Sequence, residues 1–142
     1  MSQDFRDLFA EFNARRVEFL LVGAHALAAH GYIRATEDLD GWIRPDPANA
    51  KRALEALRAF GAALHDLTER DLTTPGLVFQ TGIAPIRIDL LSGIDGVEST
   101  KAWTARYSTQ FADRPVGVLS IEDLIKNKRA TGWTQDLAYV EK

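Results

Sequence analysis

The stretch from Gly23 to Asp40 reads Gly-Ala-His-Ala-Leu-Ala-Ala-His-Gly-Tyr-Ile-Arg-Ala-Thr-Glu-Asp-Leu-Asp and concentrates residues able to do chemistry. Asp38 and Asp40 are separated by one residue in a strand-like run, and a third carboxylate, Asp89, lies in a second such run, Arg87-Ile88-Asp89. Side chains alternate between the faces of a strand, so Asp38 and Asp40 share a face with Trp42, while Leu39, Gly41 and Ile43 share the other. In the second run Arg87, Asp89 and Leu91 point one way and Ile86, Ile88 and Leu90 the other. If these strands lie near each other, three carboxylates converge, and like charges that close repel unless a cation lies among them. A divalent ion on oxygen ligands, magnesium above all, is the natural partner. The competing reading is a solvated face of a half-exposed sheet, against which the poor strand propensity of aspartate argues.

Gly23-Ala24 ends a hydrophobic run and opens a short helix. A small-residue turn lets backbone approach a ligand closely, and free amide hydrogens at a helix start suit a phosphate. An ordinary strand-to-helix turn is the alternative. Arg34 and Thr36 lie just before the carboxylates, where an arginine neutralises phosphate and a threonine hydroxyl holds a loop; both are equally compatible with plain surface positions. His25 and His30, five apart on a short helix, do not face each other well enough to share a metal. His25 is within reach of the phosphate turn, and His65 reads as a surface residue. On the helix after Ser120 the apolar stripe Ile121, Leu124, Ile125 continues to Lys128. An inward lysine needs a counter-charge or a ligand. Asp136 falls beside the apolar face of the next helical stretch, so the two read as a structural ion pair or as a triphosphate-binding lysine held by an aspartate.

The elements that must position these groups are legible in outline. Phe5, Leu8, Phe9 and Phe12 predict an amphipathic helix over 4–15, and Val17 to Val22 a buried strand. Residues 24–30 predict a helix stopped by Gly31, and 38–44 a strand. Asp46 and Pro47 start a helix along Ala50, Ala53, Leu54, Leu57 and Phe60, closed by Gly61. Residues 66–76 read as a polar connection, and 77–80 with 83–91 as paired strands around Thr81-Gly82. Residues 107–111 and 116–119 predict a hairpin across Asp113-Arg114-Pro115. Ser120 to Asp123 opens a helix that Gly132 interrupts, with a last helix over about 133–140. The sum is one α/β (α+β) domain over 1–142, a mixed sheet of about four to six strands flanked by helices.

Composition sets bounds. The 142 residues, 46% hydrophobic and 26% charged, suit a single globular core. A net charge of -3 argues against a whole-surface grip on nucleic acid. With no cysteine, disulfides, thiolate zinc sites and thiol nucleophiles are excluded, and a metal must sit on oxygen or imidazole. No apolar run approaches the ~18 residues of a membrane span. The N-terminus lacks a hydrophobic signal core, so no membrane association and a cytoplasmic location are expected.

As a set, Val22-Gly23-Ala24, Asp38-Leu39-Asp40 and Arg87-Ile88-Asp89 resemble the signature of the nucleotidyltransferase superfamily of the DNA polymerase β type. The run Arg34 to Asp40, with Lys128 and Asp136, is similar to small bacterial members that include toxin components of abortive-infection type toxin–antitoxin pairs. The resemblance departs at Ala24, where Gly or Ser is usual, at Gly41, where a hydrophobic residue is common, and at Trp133 and Tyr139, where many relatives carry Arg and Asp. It implies transfer of a nucleoside monophosphate from a nucleoside triphosphate to a hydroxyl of RNA, protein or a small molecule. Asp38, Asp40 and Asp89 are then catalytic and hold Mg2+ (or Mn2+). Gly23, Ala24, Arg34, Thr36, Lys128 and Asp136 bind the nucleotide. A protein partner or a homodimer would complete a shallow acceptor pocket. The alternatives are a catalytically silent antitoxin or regulatory module of the same fold, an antibiotic adenylyltransferase, and a metal-dependent phosphohydrolase.

Overall fold

A computed structural model of the chain describes residues 3–32, 38–62, 64, 66–81, 87–111 and 113–131. Helix α1 (Gln3–Ala14) buries Phe5, Leu8, Phe9 and Phe12 along one face, as their spacing requires. Its aromatic rings meet the first strand, β1 (Phe19–Val22): the Phe9 and Phe12 ring centroids lie 5.6 and 4.8 Å from that of Phe19. Helix α2 (Gly23–Ala29) follows β1 directly, and β2 (Asp38–Ile43) comes next. Helix α3 (Pro47–Phe60) is capped by Asp46, which accepts from the Asn49 backbone N–H at 3.1 Å, and ends at Gly61 with a φ of 92°.

The remainder comprises α4 (Glu69–Thr73), β3 (Val78–Thr81), β4 (Arg87–Leu91), α5 (Ser99–Thr104), β5 (Tyr107–Phe111), β6 (Arg114–Val118) and α6 (Ile121–Thr131). The strands form one six-stranded sheet in the order β3-β4-β2-β1-β6-β5. β2 runs antiparallel to β1 and parallel to β4, β1 runs parallel to β6, and both edges are antiparallel pairs. This is the mixed α+β architecture expected from the sequence. One side of the central strands presents Phe19, Leu21, Leu39, Ile43, Ile88 and Leu90, all buried, and α1 packs there against Phe19 and against α3. No helix among the described residues is long and apolar enough to cross a membrane.

Two local expectations need correction, and one helix is new. The supposed polar connection over 66–76 contains α4, held by a capping box in which Thr68 Oγ1 accepts from the Asp71 N–H at 3.2 Å and Asp71 accepts from the Thr68 N–H at 3.0 Å. Helix α5, which no periodicity announced, is nucleated by Glu98, whose carboxylate accepts from the backbone of Thr100 and Lys101 at 3.1 and 2.8 Å. The β5–β6 turn is tighter than expected: Phe111 pairs with Arg114, so Arg114 and Pro115 belong to the strand and Asp113 turns the chain with a φ of 62°. Proline is tolerated there because the pairing of β6 with β1 begins only at Gly117. The expected last helix and the Trp133 and Tyr139 positions lie outside the described residues, as does His65.

Asn49 ties this frame together. It is fully buried at the start of α3; its Nδ2 donates to the carbonyls of Glu18 and Arg44 at 2.8 and 2.9 Å, and its Oδ1 accepts from the Glu18 N–H at 2.7 Å. The flanks of β1 and β2 are thereby fixed to α3. Asn49→Ala leaves the Glu18 N–H without its partner and takes one of two donors from the Glu18 and Arg44 carbonyls, which keep the N–H groups of Arg44 and Asp46; about 1–3 kcal/mol of destabilisation is expected in urea unfolding, with little change in the cooperativity of the transition.

Candidate active site

The parallel register of β2 on β4 sets Asp40 opposite Asp89, Asp38 opposite Arg87 and Trp42 opposite Leu91. Residues paired across a ladder share a face, so the three carboxylates lie on one side of the sheet, away from the buried Leu39 and Ile88. Trp42, on the same side but farther along β2, is buried, and it shares a small cleft with Leu20 and with Ser99 and Trp103 of α5. The carboxylate end of this face is half-buried.

The antiparallel pairing of β1 with β2 brings Val22 opposite Asp40, so the chain turns into α2 beside that carboxylate. Gly23 has a φ of +67°, and a Cβ there would stand 2.4 Å from Asp40 Oδ2. Glycine is required twice over, by the left-handed backbone and by the space that the carboxylate fills. Val22, the N-cap of α2, offers no side-chain hydrogen bond to the first turn.

Burial raises the Asp40 pKa from its ordinary 3.8 to about 6, with further push from the charges of Asp89 and Asp38; Lys128 and Arg87 pull the other way. Lys128 on α6 therefore exerts its field on the site, as its place on the inward stripe suggested. Asp89 has a cation close by: Arg87 Nη2 lies 3.5 Å from Asp89 Oδ2. The other oxygen, Oδ1, is buried and lacks a hydrogen-bond partner among the described residues. An orphaned carboxylate oxygen, a neighbouring carboxylate with a raised pKa and an all-oxygen donor set fit a hard divalent cation. No three His, Asp or Glu side chains among the described residues are gathered tightly enough to enclose an ion by themselves. The acids form an open row on the sheet, in which water and substrate oxygens would supply the remaining ligands.

His25 packs edge-on against Phe5 and Phe111, with centroids 5.7 and 5.1 Å away. Burial lowers its pKa, opposed by the charge of Asp38, so it stands neutral beside the carboxylates. His30 has a structural position instead, its Nε2 2.9 Å from the Leu119 carbonyl oxygen. Arg34, Thr36 and Asp136 lie outside the described residues. Arg87 was placed on the acidic face by its parity, two residues before Asp89, but given no role; the register adds that it lies opposite Asp38. A cavity of about 180 Å³ under α4, lined by Leu72, Phe79 and Leu90, includes none of the three carboxylates.

No family model and no curated protein matches the chain. Solved structures do. One is a Thermotoga maritima protein provisionally described as a nucleotidyltransferase: the TM-score is 0.66 at 12% identity, over 96% of this chain and 88% of that one. Another is ANT(2")-Ia in complex with adenylyl-2"-tobramycin: the TM-score is 0.55 at 15% identity, over 96% and 84%. The fold is that of nucleotidyltransferases.

Two outcomes follow from the geometry. Gly23→Ala forces a left-handed alanine, at roughly 1–2 kcal/mol, and displaces the Asp40 carboxylate; a lower melting temperature is expected, read by calorimetry. Asp40 has a folded pKa above its unfolded value, so the folded state holds the extra proton, and its ionisation erodes stability as pH rises from about 4 through 6. In metal-free buffer Asp40→Asn is expected to melt higher than wild type at pH 8 and to lose that advantage at pH 4, read by calorimetry.

Proposed function

We propose that this chain transfers a nucleoside monophosphate from a nucleoside triphosphate to an acceptor hydroxyl, releasing pyrophosphate. The observation that carries the reading is the β2–β4 register, which sets Asp40 beside Asp89 on the face where Gly23 turns against Asp40. A bound Mg2+ (or Mn2+) would supply charge neutralisation of the triphosphate and a more acidic acceptor hydroxyl. Asp38 and Asp40 would hold it, and Asp89 would complete a second position and accept the acceptor's proton. The backbone of Gly23 and Ala24 lies next to Asp40 and would seat the outer phosphates, while Lys128 contributes positive potential where pyrophosphate charge develops. Arg34, Thr36 and Asp136 keep the nucleotide-binding roles that the sequence resemblance implies.

The fold likeness to ANT(2")-Ia, seen with an adenylylated small molecule, supports the same chemistry here, with RNA, protein or a small molecule as acceptor. A single catalytic domain over 1–142, a partner or second copy that completes the acceptor pocket, a cytoplasmic setting and a place in a toxin–antitoxin pair belong to this reading; the last rests on the Arg34 to Asp40 run with Lys128 and Asp136.

The test is pyrophosphate release from each of the four nucleoside triphosphates with Mg2+. Activity with at least one is expected, abolished by EDTA and reduced at least about 100-fold by Asp40→Asn or Asp89→Asn. Release of phosphate instead would replace the reading with a phosphohydrolase, and silence with every nucleotide would leave a binding module.

A further inference from the structure

Arg87 has no part in the reaction as laid out above, yet it occupies a telling position. It opens β4 directly opposite Asp38, and its Nη2 leans on Asp89 Oδ2 across 3.5 Å. The Arg87 side chain is 46% exposed and that of Asp89 only 17%. The two oxygens of Asp89 are thus unlike: one rests on a solvent-facing guanidinium, and the other is buried and has no hydrogen-bond partner among the described residues. A long, half-exposed ion pair is held weakly. A divalent ion approaching Asp89 would meet a cation already in place, though a loosely held one.

We propose that Arg87 is a displaceable counter-ion. It neutralises Asp89 while the carboxylates hold no divalent ion, yields that oxygen when one binds, and then offers its guanidinium to a phosphate oxygen of the substrate. The inference rests on the metal-ligand reading of Asp38, Asp40 and Asp89. Its physical basis is that one carboxylate oxygen cannot serve both cations at full strength. A side chain at the exposed start of a strand can swing without disturbing the buried Ile88 and Leu90 that anchor β4. The planar guanidinium fork matches phosphate oxygens as well as carboxylate ones, so the released group keeps an anionic partner.

The mechanism requires Arg87 to act with opposite signs on metal and on metal-bound phosphate. Mn2+ titration of the full chain, read by electron paramagnetic resonance without nucleotide, is expected to show Arg87→Met binding the ion roughly threefold tighter than wild type. In an Asp89→Asn background the gain should shrink, because only the field of Arg87 on Asp40 is left to remove. With saturating Mg2+, Arg87→Met should bind inorganic pyrophosphate roughly threefold more weakly. Unchanged Mn2+ affinity, a gain undiminished in Asp89→Asn, or unchanged pyrophosphate affinity would each overturn the exchange. Mn2+ binding to neither wild type nor Arg87→Met would overturn the metal reading, and this inference with it. Equal binding to both would remove only the role given to Arg87.

Discussion

Mutual repulsion among Asp38, Asp40 and Asp89 is the constraint around which this fold is arranged. Three acids occupy adjacent positions on two paired strands, and the half-buried Asp40 feels both of the others. The same strands carry the hydrophobic residues that hold them in place. Leu39 and Ile88 alternate with the acids and are almost wholly buried on the opposite side. A slip of one residue in the β2–β4 register would drive carboxylates into the core and leucines into water. Core packing therefore enforces the electrostatic strain, and the fields of Lys128 and Arg87 moderate it without removing it.

The surrounding elements serve that arrangement at short range. Gly23 lets the chain leave β1 against Asp40 with no side chain intervening. Gly41 does a similar service on the other side of β2, where a Cβ would stand 3.3 Å from Leu90 Cδ2. A hydrophobic side chain at that position would crowd the leucine already filling the space, which gives the departure at Gly41 a packing reason. His25 is walled by Phe5 and Phe111, so α1 and β5 reach the margin of the acidic face.

Much of this was legible in the sequence because it follows from short periodicities. Strand alternation placed Asp38, Asp40 and Asp89 on like faces, Asp46 and Gly61 bounded α3, and the apolar stripe pointed Lys128 inward. What sequence could not supply is pairing. Nothing local to residues 38–43 or 87–91 says that these strands are neighbours, that they run parallel, or that Arg87 comes opposite Asp38. Helices α4 and α5 escaped because five and six residues are too few for a hydrophobic period, and only their caps, Thr68 and Glu98, marked them. Asn49 looked like an ordinary helix residue, since its worth lies in backbone groups of Arg44, in the loop before the helix, and of Glu18, 31 residues away.

The β2–β4 ladder has a further implication, for the order in which the molecule assembles. It joins segments about fifty residues apart, and such long closures lag behind local helices and hairpins. Asp38 and Asp40 meet their third companion only after everything between has been threaded past. A nascent or half-collapsed chain thus carries separate acids without a constellation.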